Sequence, residues 1–136
     1  MKKIILISFL FFFISSISYS QSKFPQCKGT DFSKFNNCYA KINLGDKNAV
    51  YDGEFKNGKF HGQGTLINPE GTKYAGEWKN GMPDGKGTLT DSDGTKFIGE
   101  WKNGKRDGSG TYIFTNGKTK QGVFKDGNLV EKWKKK

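Results

Sequence analysis

The sequence predicts an all-β protein of tandem β-hairpins stacked into one elongated, twisted antiparallel sheet, on three observations. Seventeen of the nineteen glycines fall on a single grid of period 23 between Tyr51 and Trp133, leaving only Gly29 and Gly45 outside it. Segments such as Tyr74-Ala75-Gly76-Glu77-Trp78-Lys79 place a ring or a glycine at every second residue, the period of a strand with one buried face. An Asn-Gly pair follows each of the first three such segments, and both residues tolerate the positive φ of a tight hairpin turn. Self-similarity at this period means one supersecondary unit copied end to end, each copy burying the open face of its neighbour.

From the N-terminus, Lys2 and Lys3 precede an apolar run from Ile4 to Ile14, and small residues follow up to Ser20. This predicts a secretory signal over residues 1–20 and a mature chain beginning at Gln21. The run is shorter than the ~20 apolar residues of a spanning helix. The expected location is therefore outside the cytoplasm, periplasmic or extracellular. There an isolated cysteine pair is expected to be oxidised, so Cys27 and Cys38 are assigned to a disulfide that contributes on the order of 2 to 3 kcal/mol. Residues 21–50 are read as an N-terminal cap carrying this bridge.

The array then runs over 51–133, as units 51–73, 74–96 and 97–119 and a partial unit 120–133. In the first unit the outgoing strand is Tyr51 to Lys56, the turn is Asn57-Gly58 and the return strand passes through Gly62-Gln63-Gly64-Thr65-Leu66. A two-residue turn sets Tyr51 opposite Gly64, giving the ring a strand with no side chain to obstruct it. The same register sets Glu77 opposite Asp84 and Glu100 opposite Asp107; a three-residue loop with a glycine bulge separates these like charges, so the register stays open. Asn68-Pro69-Glu70-Gly71 and Asp91-Ser92-Asp93-Gly94 are expected turns between units. The partial unit has Lys120 in place of the aromatic residue and is expected to lack its return strand, as a terminal repeat. A basic tail, 134–136, ends the chain.

The pattern Tyr-x-Gly-Glu-Trp/Phe-Lys-Asn-Gly-x-x-x-Gly-x-Gly-Thr resembles the MORN repeat, membrane occupation and recognition nexus. The family's His-Gly survives at His61-Gly62, while Asp84 and Asp107 replace the histidine in later units. Asn37-Cys38-Tyr39-Ala40-Lys41 resembles cysteine-bearing segments ahead of some bacterial MORN arrays. The resemblance implies a non-catalytic scaffold that binds a protein partner or docks at an envelope surface.

Other chemistry finds little support. One histidine leaves no room for a multi-histidine metal site. Asp91-Ser92-Asp93-Gly94 opens like a calcium loop, but that loop wants glycine at Lys96 and a carboxylate at Lys102. Glu54, Glu77 and Glu100 recur with the repeat instead of standing once in a cleft. No catalytic residue, cofactor or nucleic-acid partner is expected.

Two surfaces remain as candidates. Tyr51, Phe55, Tyr74, Trp78, Phe97 and Trp101 form an in-phase stripe, read as the apolar face of a thin sheet that cannot bury all of it and so offers a groove to a partner. The whole chain carries a formal net charge of +10. Lys56, Lys79, Lys102 and Lys125 recur in phase with glutamates two positions before the first three, which leaves Lys132, Lys134, Lys135 and Lys136 as the undiluted basic patch. Direct binding of anionic lipid or polymer, a role as accessory subunit of an envelope enzyme, and homo-oligomerisation stay open beside the scaffold reading. Intact mass with and without reductant is expected to show a chain starting at Gln21 whose two thiols alkylate only after reduction; a product retaining Met1 rejects the cleavage.

Overall fold

The structure, a computed structural model, describes residues 23–45 and 48–133, and the predicted signal over 1–20 and the tail over 134–136 lie outside the described residues. Among the described residues nine strands follow one another in chain order and pair antiparallel as a single open meander: β1 (Cys38–Leu44), β2 (Ala49–Lys56), β3 (Lys59–Ile67), β4 (Lys73–Lys79), β5 (Met82–Thr90), β6 (Lys96–Lys102), β7 (Lys105–Ile113), β8 (Thr119–Lys125) and β9 (Asn128–Lys132). At ~4.8 Å per strand step the sheet is about 38 Å long.

Each hairpin closes on the expected two-residue turn. Asn57 and Gly58 have φ of 51° and 69°, the pair of positive values that defines a type I′ turn, and Asn80-Gly81, Asn103-Gly104 and Asp126-Gly127 repeat it. Between units, Gly71 N donates to Asn68 O at 2.9 Å and Gly94 N to Asp91 O at 2.9 Å, the expected four-residue turns.

The register differs from the simple expectation because a bulge sits further up the return strand. Lys56 pairs with Lys59 beside the turn, yet Gly53 pairs with Gly64 and Tyr51 with Leu66, an offset of two residues that the next two hairpins share. The bulge is bridged by the repeat's own glutamate: Lys86 N donates to Glu77 Oε1 at 3.0 Å and Ser109 N to Glu100 Oε2 at 2.8 Å. Gly85 takes φ of +110° there, and a Cβ on it would stand 2.6 Å from Glu77 Oε2, so both the backbone and the carboxylate require glycine. Glu77 and Asp84 are not among the paired residues of this hairpin, although the equivalent Glu54 and His61 pair in the first.

The core is a ladder of rings on one face of the sheet. Phe35, Phe55, Tyr51, Trp78, Tyr74, Trp101, Phe97 and Phe124 meet in that order edge to face, with centroids 4.9–5.5 Å apart and interplanar angles of 81–90°. Each such contact contributes about 0.5–1.5 kcal/mol beyond the area it buries. Phe60 stacks flat on Tyr51 at 3.7 Å, and at the same repeat position Arg106 holds its guanidinium 5.6 Å from the Phe97 ring centre.

Both ends continue this plan in altered form. β1 acts as the return strand of a missing repeat: Ala40 faces Gly53 and Cys38 faces Phe55, as Gly64 faces Gly76 and Gly62 faces Trp78. Phe35 O accepts from Gly58 N at 2.8 Å, the contact that Phe60 O makes with Gly81 N at 2.9 Å. At the other end the partial unit does have a return strand, contrary to expectation. β9 pairs with β8 through a bulge of one residue at Val130 in place of two, with Leu129 opposite Phe124. A strand could form there because the stretch after Asp126-Gly127 needs neither glycine of the pair once Lys120 has replaced the ring.

Replacing Gly76 with valine is expected to cost about 3 kcal/mol or more, because its Cβ would stand 2.5 Å from both Gly87 Cα and Lys86 O, backbone atoms that cannot step aside. Lys79→Gln, on the exposed side of the same strand, is expected to stay within about 0.5 kcal/mol. Thermal or urea denaturation of the two variants checks the contrast, and equal shifts would contradict the packing described.

Candidate functional site

The six aromatics expected to form a binding groove are core residues. Tyr51 is 0% exposed, Phe55 1%, Tyr74 5%, Trp78 5%, Phe97 1% and Trp101 8%. The expectation asked the sheet to cover the rings, whereas the rings lie down and cover one another. Tyr51 reclines over Gly53 and Gly64, its hydroxyl 2.6 Å from where a Gly53 Cβ would be, and donates to Glu54 O at 3.0 Å. Tyr74 repeats this toward Glu77 O at 3.1 Å. The indoles lie across the neighbouring repeat, Trp78 Nε1 donating to Gly64 O at 3.0 Å and Trp101 Nε1 to Gly87 O at 3.3 Å. Every polar atom of these side chains is turned to backbone.

The in-phase charged residues also have structural tasks. Glu77 and Glu100 hold the bulges, as above. Asp84 Oδ2 accepts from Asn103 N at 3.1 Å, tying one turn to the next, and Asn36 Oδ1 does the same for Asn57 N at 3.2 Å. Asp107 accepts from Lys125 Nζ at 2.9 Å, a hydrogen bond that holds its carboxyl below the usual range and raises Lys125. The pair is solvent-facing, so it adds little stability. His61 occupies the position of Asp84 and Asp107, and its Nδ1 is the buried side-chain atom without a hydrogen-bond partner among the described residues. Among those residues no group of three or more His, Cys, Asp and Glu is placed to hold a metal ion.

Cys27 and Cys38 form the assigned disulfide, with Cα atoms 4.9 Å apart. It pins the segment before β1 to the sheet, where Cys27 N donates to Tyr39 O at 2.8 Å and Tyr39 N to Pro25 O at 2.9 Å. Lys132 of the basic patch is exposed at the end of β9, and Lys134, Lys135 and Lys136 lie outside the described residues.

The sheet's other face carries the accessible surface. Thr65, Ala75, Thr88 and Ile98 floor it, and Ile98 is 46% exposed. A cleft of about 730 Å³ lies at its N-terminal end, between Phe24, Tyr39, Asp52 and Thr65, and one of about 400 Å³ lies between Thr88, Ile98 and Ser109. Tyr39 Oη donates to Asp52 in the first. Sequence reading missed Phe35, Asn36 and Arg106; the first two copy the Phe60-His61 pair, a likeness hidden because they stand 25 residues before it, off the period of 23.

Burial raises the phenol pKa of Tyr51 and Tyr74 well above the ordinary value of 10. In both, the first cause is desolvation of the ring oxygen, with nearby carboxylates adding to it. A raised phenol pKa means that the unfolded chain loses its proton first, so this stability is complete below pH ~10 and declines as pH rises through the folded values. Tyrosinate absorbance is expected to show these two residues ionising only together with unfolding. A smooth titration of all tyrosines with the fold intact would contradict the burial.

A search of curated proteins found no match for the chain. A family model described as MORN repeat matches residues 51–73, 74–96 and 97–119, the three complete hairpin units. On those three consecutive matches, which span half of the chain, the protein belongs to the MORN repeat family.

Proposed function

We propose that the protein is an exported, non-catalytic repeat scaffold that binds a protein partner through surfaces other than its aromatic face. The observation that carries this reading is how fully the recurring side chains are used by the fold. The rings form the core, the bulge glutamates hold backbone N–H groups, and Asp84 and Asp107 tie turn to turn or meet a lysine. The opposite face varies in part from repeat to repeat, Ala75 giving way to Ile98 beside the recurring Thr65 and Thr88, and that face and the two ends are where selectivity for a partner resides.

Export is supported by the N-terminal sequence pattern and by the Cys27–Cys38 bridge, which persists in an oxidising compartment. No helix among the described residues is long and apolar enough to cross a membrane. Lysines that share their strands with glutamates divide the positive charge, so an anionic surface gains only the terminal lysines, worth about 1 kcal/mol each and marginal without a second anchor.

Affinity capture from envelope fractions, followed by titration with the captured protein in purified form, is expected to give saturable binding. Anionic vesicles at ~0.15 M salt are expected to retain little of the protein. Trp78→Ala with Trp101→Ala should unfold the sheet instead of selectively removing partner binding. Strong vesicle binding that survives loss of residues 134–136, with no purified protein rebinding, would assign the function to a lipid surface.

A further inference from the structure

An open antiparallel sheet has two edges, and each edge strand presents backbone N–H and C=O groups with no strand beside them. In this sheet the two edges are treated differently. Along β1, the segment Pro25 to Cys27 exchanges two backbone hydrogen bonds with Tyr39, and the disulfide fastens it there. β9 is paired with β8 alone, and among the described residues no segment lies along its outer side.

The side chains at that edge set it apart as well. Val130, the bulged residue with no partner on β8, is 63% exposed, and Trp133 is 51% exposed, whereas the two tryptophans of the ladder are buried. By sequence, residues 118–136 hold seven lysines against Asp126 and Glu131, a net of +5 within a chain of +10, with Lys134, Lys135 and Lys136 outside the described residues. Asp126 lies 4.0 Å from Lys105, and Lys125 of the seven is engaged by Asp107 at 2.9 Å.

We propose that the outer edge of β9 is a docking strand for an extended, acidic segment of a partner protein, which adds to the sheet as a further antiparallel or parallel strand. The proposal rests on the scaffold reading above and names the chemistry of its partner. Backbone pairing along β9 supplies affinity, Val130 and Trp133 supply apolar contact, and the lysines select negative charge. The molecule already satisfies its other edge with an extended segment, Pro25 to Cys27, so the mode of docking is one this sheet supports. A lipid headgroup could meet the lysines and Trp133 but has no row of donors and acceptors to pair with β9. A second copy would bring two ends of net +5 together, and that repulsion disfavours it. The same lysines that turn away neutral or basic strands admit an acidic one.

The test uses the full protein and a short peptide alternating glutamate with valine, read by Trp133 fluorescence and by amide hydrogen exchange over residues 128–133. Three controls accompany it: the same peptide with a central proline, a version with lysine for glutamate, and anionic vesicles. The acidic peptide is expected to bind saturably and to protect the β9 amides. The central proline, or Val130→Pro in the protein, is expected to weaken binding about tenfold, and Lys132→Glu severalfold. Proline is tolerated at bulges, and an unchanged melting temperature verifies the variant; the proline peptide and Lys132→Glu decide the matter if it misfolds. Equal binding by the proline peptide, indifference to Lys132→Glu, or protection of β9 by vesicles alone would each overturn the proposal. If a purified partner binds Val130→Pro as tightly as the unaltered protein, the edge is excluded while the scaffold reading stands. If no purified protein rebinds at all, the scaffold reading itself fails.

Discussion

The whole structure depends on one steric condition, that a ring can lie flat on the sheet only where two paired strands both lack a side chain. Gly53 faces Gly64, Gly76 faces Gly87 and Gly99 faces Gly110, and over each pair lies the ring of Tyr51, Tyr74 or Phe97. A reclining ring exposes its edge along the sheet axis, where the Trp or Phe of a neighbouring unit meets it at right angles. A thin sheet thereby obtains a core without a second layer. The usual two-layer arrangement of a domain is replaced by side chains folded down onto their own backbone.

The polar groups follow from the same arrangement. Rings placed against backbone must direct their donors to carbonyls, because a buried donor without an acceptor costs about 1–3 kcal/mol. Tyr51 and Tyr74 reach the carbonyls of Glu54 and Glu77, and Trp78 and Trp101 reach those of Gly64 and Gly87. At the first and last units the Trp position holds Phe55, opposite Cys38 of the cap, and Phe124, opposite Gly108 of the third unit, rings that ask for no acceptor. The offset of two residues is part of this economy of contacts: it brings the paired glycines opposite one another, and the glutamate closes the gap it opens.

Much of this was legible in the sequence, and the boundary of legibility has a physical cause. Strands, Asn-Gly turns, the turns between units and the disulfide could be read because each depends on local chemistry or on a period that strict repetition amplifies. The bulge could be seen only as an alternative, since Gly62 and Gly64 carry no label saying which takes positive φ and which lies under a ring. Burial of Trp78 and Trp101 was not legible, because alternation identifies a face but not what covers it. β9 was missed for the opposite reason: Asn128 to Lys132 lacks the repeat's glycines, and its pairing follows from adjacency to β8 instead of from pattern. Phe35 and Asn36 escaped notice because they perform the repeat's contacts at a spacing that the repeat does not use.

The two ends show how such an array stops. A complete unit invites another, because its return strand offers glycines on which the next indole can lie. At the N-terminus Ala40 and Cys38 take the glycine positions, and the bridge to Cys27 fills the space that a preceding unit would occupy. At the C-terminus Lys120 removes the reclining ring, and the space above Gly122 goes to Leu129, whose Cδ1 lies 2.5 Å from where a Cβ would stand. β9 then has no glycine pair to receive a further ring, so propagation by packing ends even though, among the described residues, no segment lies along its backbone edge. Packing and hydrogen bonding thus terminate at different strands of the array, and a partner that contributes backbone without contributing a repeat is the kind of chain that difference can accommodate.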